Sequence, residues 1–214
     1  MMIGVSEYAS QLGISPGRVR QLISAQRIPA HKSGGTWLID QSQLKLRQLQ
    51  SRPMSKSIAT NFIYLLSGMP WGENLQSNEK LRLQDYLAEL KSSENPAALL
   101  AAWFKGFRVG HRLQINPKDL AGLRNENKIV ASGVSDKRSN FAQANLFEGY
   151  VEKKNLSEIK RKFLMVESNN FNVLLRTSPI KLQKPIPLGL LLADLADHNQ
   201  PREDKQVKTL VRAL

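Results

Sequence analysis

Residues 5–23 have the sequence VSEYASQLGISPGRVRQLI, in which a helical pattern occurs twice. The apolar residues that recur at helical spacing are Val5, Tyr8, Ala9, Leu12, Val19, Leu22 and Ile23. Ser6 is predicted to cap the first helix, and Ser15 the second, with Pro16 at the first helical position, where a missing N–H costs nothing. Gly13 is predicted to end the first helix, because glycine tolerates the left-handed conformation of a helix terminus. The stretch therefore predicts two short helices joined by a tight turn.

The second helix is predicted to turn a polar and basic face outward. Gly17, Arg18 and Gln21 lie opposite its apolar stripe, and Arg20 lies at the border. A short second helix with such a face is typical of proteins that read the DNA major groove. Arginine can form two hydrogen bonds to guanine, and glutamine can form two to adenine. We therefore expect Arg18 and Gln21 to reach base edges.

A β-hairpin is predicted next, because two extended runs flank Gly34 and Gly35. His31 and Lys32 lie on this hairpin, which favours a wing against the DNA backbone. Asp40 is then predicted to cap a third helix. We expect Ser15, Arg20, Arg27, Lys32 and Thr36 to hold phosphates and fix the register on DNA. The complete set of predicted DNA-binding residues is Ser15, Gly17, Arg18, Arg20, Gln21, Arg27, His31, Lys32 and Thr36.

This N-terminal region resembles the winged helix-turn-helix of the MerR and excisionase type. The segments that carry the resemblance are 6–9, 12–15, 18–23, 28–30 and 34–39. The resemblance implies a DNA-binding domain, which we place at residues 1–52. The alternative is a small helical cap without a ligand, but a bare cap has no use for a basic outer face.

The chain is strongly basic, with a net charge of +13 over 214 residues. Such a balance favours a polyanionic partner, because binding releases counterions from phosphates. Residues 1–52 contribute +5 of this charge. For the remaining +8, a solvated surface and a second nucleic-acid contact are weighted equally.

A membrane partner is not favoured, since neither a basic amphipathic helix at either end nor a long apolar run is present. The residues before Val5 lead straight into the first helix without a signal peptide, which predicts a cytoplasmic protein. Cysteine is absent, which excludes disulfides and thiolate metal sites.

The rest of the chain is predicted to hold a linker around Pro53, a helical segment at 53–110 and a mixed α/β domain at 111–214. A weak repeat suggests two strand–helix–strand units, because apolar residues recur after 36 positions. The recurring pairs are Ile115 and Val151, Leu120 and Leu156, Leu123 and Ile159, Ile129 and Met165, and Val130 and Val166. Periodicity alone leaves open whether the two units share a sheet. The predicted fold class is therefore α+β, a winged helix-turn-helix followed by a mixed helical and small-sheet domain.

Motifs for catalysis are missing from the sequence. It has no Gly-rich phosphate loop and no Gly-x-Ser-x-Gly, and its histidines lack metal-ligand spacing. We therefore expect no catalytic residue, no metal and no cofactor. The cluster that suggests a metal-dependent nuclease is Asp194, Asp197, Glu203, Asp204 and Lys205. Nuclease carboxylates lie on a sheet around a divalent ion, whereas these are predicted to flank a helix–helix junction, so we consider this alternative remote.

The C-terminal end resembles antitoxins of the AbiE abortive-infection class. The segments that carry this resemblance are 171–176, 185–188, 193–198 and 201–204. In that family a winged-helix domain binds the operon's own promoter, and a C-terminal mixed α/β domain neutralises a nucleotidyltransferase-like toxin. The resemblance implies an autorepressor and antitoxin, and we expect two copies to bind repeated operator half-sites. The leading alternative is an excisionase-like architectural protein that bends DNA for recombination.

Overall fold

The computed structural model describes residues 2–12, 15–25, 28–40, 52–72, 75–141, 145–178 and 180–214. The chain divides into two compact units, Met1–Arg52 and Pro53–Leu214, here called unit 1 and unit 2. Among the described residues, unit 1 contains one cluster of buried apolar side chains and unit 2 contains two. Each unit therefore has a core of its own.

Unit 1 is a small sheet with two helices. Its described elements are β1 (Met2–Gly4), α1 (Val5–Gln11), α2 (Pro16–Ser24), β2 (Ala30–Ser33) and β3 (Thr36–Asp40). The strands form an antiparallel sheet in the order β1-β3-β2. Tyr8, Val19 and Ile39 are fully buried at its centre, so both helices pack on one apolar cluster with the middle strand.

The helix caps differ from the sequence prediction in one place. The predicted cap at Ser6 is wrong, because α1 begins at Val5 and Gly4 occupies the capping position. The cause is β1, which runs directly into the helix and leaves no loop before it. The predicted cap at Ser15 is confirmed, since its Oγ accepts the Arg18 backbone N–H at 3.2 Å. The predicted helix end at Gly13 and the third helix after Asp40 lie outside the described residues.

Unit 2 is a five-stranded sheet with helices on both faces. Its elements are α3 (Lys56–Leu66), α4 (Ser77–Ser92), α5 (Pro96–Trp103), β4 (Val109–Gln114), α6 (Leu120–Arg124), β5 (Ile129–Ala131), β6 (Phe147–Val151), α7 (Lys153–Lys162), β7 (Val166–Glu167), β8 (Val173–Thr177), α8 (Leu188–Asp197) and α9 (Pro201–Arg212). The strand order is β5-β6-β8-β4-β7, with β6 and β8 parallel and the other pairs antiparallel.

The 36-residue repeat corresponds to two interlocked halves of this one sheet. Each half is a strand–helix–strand, β4-α6-β5 and β6-α7-β7, and its last strand pairs with the first strand of the other half. The register is also repeated, since Val130 faces Tyr150 and, 36 residues on from Val130, Val166 faces Gln114. Strand β8 lies in the middle, between the two first strands. The question that periodicity left open is thereby answered, because the two halves share a sheet.

The two faces of the sheet bury two different cores. On one face, α6 and α7 supply Leu123 and Ile159, which pack with Phe147. On the other face, Tyr150 packs in a cluster that also contains residues of α3, α5, α8 and α9. Residues 53–110 and 111–214 therefore share this second core. Trp103 is 1% exposed within it.

Candidate nucleic-acid interface

Helix α2 separates its side chains as the sequence pattern predicts. Val19, Leu22 and Ile23 are buried, while Arg18 and Gln21 are exposed. Gly17 and Arg20 are exposed as well. The Ser15 cap and the proline at the first position hold the N-terminal turn of this helix, which in helix-turn-helix proteins contacts base edges.

Arg18 and Gln21, the two residues predicted to contact bases, form a hydrogen bond with each other. Arg18 Nη1 donates to Gln21 Oε1 at 3.1 Å, one helical turn apart. A bidentate contact to adenine uses both the oxygen and the nitrogen of the glutamine amide, and the oxygen has a second lone pair for it. Arg18 keeps further N–H donors for a guanine edge. The bond therefore holds the guanidinium and the amide side by side on the exposed face of α2.

The hairpin β2–β3 carries two residues that were predicted to hold phosphates, Lys32 and Thr36, and places them on opposite faces. Gly34 and Gly35 have φ values of 54° and 82°, as the two-residue turn requires. Lys32 pairs with Trp37, and their face is the one that packs against the core. Since side chains alternate along a strand, His31 lies on the opposite face. Thr36 pairs with Ser33 and shares the face of His31.

A groove of about 480 Å³ connects the hairpin to helix α2. Its lining residues are Ile23, Ser24, Ile28, Pro29, Ala30 and Trp37. The face that carries Lys32 therefore adjoins the C-terminal end of the helix, whereas His31 and Thr36 point to the other side. Arg27, the remaining predicted phosphate contact, lies outside the described residues.

The acidic cluster of unit 2 includes a buried carboxylate, Asp194, that is bonded to other side chains of the unit. The Asp194 side chain is fully buried, and Arg108 Nη1 at 2.6 Å and Tyr150 Oη at 2.9 Å both donate to its Oδ1. Its Oδ2 accepts the Ser132 hydroxyl at 2.5 Å. Burial, followed by the charge of Asp194, raises the pKa of Tyr150 well above its usual value, so that hydroxyl stays a donor. Among the described residues, no group of His, Cys, Asp and Glu is placed to hold a metal ion.

The cluster was predicted to flank a helix–helix junction, and only part of it does. Asp197 is the last residue of α8, and Glu203 and Asp204 lie in the first turn of α9. Asp194 instead points into the core, where it also lies 3.3 Å from Arg176 Nε. Its carboxylate is therefore occupied by structural donors rather than open to a ligand.

Asp194 belongs to a larger buried network that the sequence analysis did not find. Glu148 has no exposed side-chain area, and its carboxylate lies 3.4 Å from Arg176 Nη1 and 2.7 Å from His198 Nε2. The adjacent Glu148 carboxylate raises the pKa of His198 against the opposing effect of burial. When His198 is protonated, three cations balance three carboxylates: Arg108, Arg176 and His198 against Glu148, Asp194 and Asp197.

The sequence signal for this network was a charge inside an apolar run. Glu148 lies in LFEGYV, Arg176 in VLLRT and Asp194 in LLLADLAD. A charge in a buried element is costly unless it is paired, so such positions predict partners elsewhere in the chain.

Comparison with known families finds a match at the N-terminus. A family model described as a helix-turn-helix domain matches residues 2–47. No curated protein and no solved structure matches the chain. Across the described ranges, none of the helices combines the length and apolar character needed to cross a membrane. The N-terminal residues are thus similar to a helix-turn-helix domain, and this similarity indicates a DNA-binding regulator.

Proposed function

We propose that this chain is a sequence-specific transcriptional autorepressor and the antitoxin of a toxin–antitoxin system. The observation that carries the DNA-binding part is the capped helix α2, whose buried stripe leaves Arg18, Arg20 and Gln21 exposed. The matching family is described as a helix-turn-helix domain, and in such domains the second helix enters the major groove.

In this proposal α2 reads the operator and the hairpin serves as a wing. Arg18 and Gln21 contact base edges, while Ser15, Arg20 and Lys32 position the unit on phosphates. One such unit makes few phosphate contacts, so tight binding uses two copies on half-sites about one helical turn apart. Thr36 and Arg27 stay in the predicted phosphate set, and His31 stays among the predicted DNA-binding residues of the hairpin.

The antitoxin part of the proposal is supported by the size and independence of unit 2. Pro53–Leu214 has two cores and a sheet of five strands, far more than a dimer contact needs. The resemblance of its last residues to AbiE-class antitoxins makes a nucleotidyltransferase-like toxin the proposed partner. The excisionase-like alternative is supported by the N-terminal domain but gives unit 2 no role.

The DNA contact is tested with Arg18→Ala and Lys32→Ala in operator titrations at fixed salt. Arg18→Ala is expected to lower specific affinity by about 1–3 kcal/mol and to relax specificity, because a base contact is lost. Lys32→Ala should weaken binding to all DNA sequences about equally and reduce the salt dependence of the affinity. Lys80→Ala, an exposed lysine of α4, is the matched control. Unchanged binding by both unit 1 variants contradicts the proposed interface.

The division of labour is tested by co-expressing the toxin from the neighbouring gene with residues 53–214 under a foreign promoter. This fragment is expected to rescue growth as well as the full chain does, and residues 1–52 are expected to fail. Rescue by the full chain but not by a folded 53–214 fragment would show that toxin neutralisation needs unit 1. A DNA-bending assay with the full chain addresses the excisionase-like alternative, which alone requires a strong bend.

A further inference from the structure

A cleft of about 880 Å³ opens at strand β5, an edge of the sheet in unit 2. Its floor is apolar because the two cores meet there. Ile129 and Phe147 come from one core, and Val130 and Val134 from the other. Its volume lies in the range of small-molecule sites, which are concave and mostly apolar with a few polar groups.

The rim of this cleft carries more positive than negative charge. Four cationic residues line it, Arg124, Lys137, Arg138 and Lys184, together with two acidic residues, Glu126 and Asp136. Both acids are already paired. Asp136 accepts two bonds from the Arg138 side chain at 2.9 and 2.7 Å, and Glu126 accepts the ammonium of Lys162, outside the lining, at 2.6 Å.

Two of the cations, Lys137 and Lys184, form no ion pair among the described contacts. Lys137 is exposed, and Lys184 Nζ meets only a neutral group in the described contacts, the Asn127 carbonyl at 2.8 Å. Such a rim favours an anion, while the floor below it favours an apolar body. A ligand with both parts fits the cleft better than a simple inorganic anion.

An aromatic ring makes the ligand class more specific. Phe141 is half-buried and lines the cleft, and the Arg202 guanidinium lies 4.5 Å from its ring centroid. Arg202 belongs to helix α9, and its contact fixes the position of the Phe141 ring. Aromatic side chains next to cations bind nucleotide units, because the ring stacks on a base while the cations meet the phosphate.

We propose that this cleft binds a nucleotide, with its base on the apolar floor beside Phe141 and its phosphate at Lys137 and Lys184. The nucleotide is either free or one unit of a nucleic-acid strand, since both offer the same chemistry. This site lies in unit 2, uses none of the residues proposed to contact the operator, and goes beyond the proposed function.

The test is calorimetric titration of the full chain with AMP, GMP, CMP and UMP separately. At least one is expected to bind with a Kd of about 1 mM or tighter, and adenosine or inorganic phosphate alone about tenfold or more weakly. The double variant Lys137→Ala/Lys184→Ala should weaken nucleotide binding about tenfold or more. Lys80→Ala is the matched control and should stay within about twofold. Arg18→Ala should lower operator affinity without changing nucleotide affinity, which separates this proposal from the one above.

A labelled single-stranded RNA octamer identifies the source of the nucleotide. Binding tighter than that of the mononucleotides, and weakened by the double variant, assigns the cleft to a nucleic-acid strand, while binding no tighter assigns it to a free nucleotide. Backbone amide chemical shifts provide a second measurement and should move at Val130, Lys137 and Lys184. The proposal is overturned if no nucleotide binds saturably, if the double variant binds normally, or if only an acidic peptide binds.

Discussion

Replacing Asp194 with alanine is the most direct test of the buried network. The substitution removes a fully buried carboxylate that faces Arg108, Arg176, Tyr150 and Ser132. If the network is structural, unit 2 loses stability. If Asp194 were instead a ligand-binding group, its removal would impair the function of unit 2 and change its stability little.

The expected loss follows from what each partner retains. Arg108 keeps Asp197 at 2.8 Å and Arg176 keeps Glu148 at 3.4 Å, so neither guanidinium is left without a carboxylate. The Tyr150 and Ser132 hydroxyls lose the carboxylate that accepts their hydrogen bonds. Removing one partner of a buried ion pair costs about 3–5 kcal/mol, and a stranded buried hydroxyl about 1–3 kcal/mol. Because these terms overlap and the guanidinium groups stay paired, we expect a total of about 4 kcal/mol.

Urea unfolding in a Trp37→Phe background measures this loss. Trp37 is the sole tryptophan of residues 1–52, so the remaining fluorescence reports unit 2. Asp197→Ala is the control, because that side chain is 41% exposed and water can replace it, at a cost of about 1 kcal/mol. A loss for Asp194→Ala no larger than for Asp197→Ala would refute the structural assignment of the network.

Two further predictions concern the surroundings of Glu148. Contact with Glu148 raises the pKa of His198, Glu203 adds to the effect, and Arg176 opposes it. The contribution of His198 to stability should therefore be complete below its ordinary pKa of about 6.5 and lost as pH rises through the raised value, and His198→Gln should flatten that part of the unfolding profile. Gly133→Ala should cost about 3 kcal/mol or more, because at φ 54° a Cβ would overlap the Glu148 carboxylate. Gly106→Ala, at φ 73° with nothing within 4 Å, should cost only about 1–2 kcal/mol in the same urea unfolding assay.

The parts of the fold that local chemistry determines were predictable. The Ser15-Pro16 start of α2 depends on neighbouring residues only, and so does the turn at Gly34 and Gly35. The 36-residue repeat was also visible, because four of its five pairs pack in one core. The interlocked pairing of its strands was not predictable, because the same spacing also allows the two strands of each half to pair with each other.

The parts that depend on distant pairing were not predictable. Strand β1 has three residues and no pattern of its own, and it forms because it pairs with β3 thirty-odd positions away. The buried network joins Arg108, Glu148, Arg176 and Asp194, which only the folded sheet brings together. The opposite faces of His31 and Lys32 were within reach of the sequence, because alternation along a strand requires them.

The distribution of charge in unit 2 bears on the two interpretations of its basic surplus. Helix α7 is the richest in lysine and arginine, yet Lys154, Lys160 and Lys162 are all in ion pairs with nearby carboxylates. Such exposed pairs add little stability, but they reduce the field that a polyanion would meet at this helix. Lys137 and Lys184 have no carboxylate partner among the described contacts, and they border an apolar cleft with an aromatic ring. A solvated surface therefore explains the charge of these three lysines of α7, whereas the charge at the cleft, set above an apolar floor, is better explained by a bound phosphate.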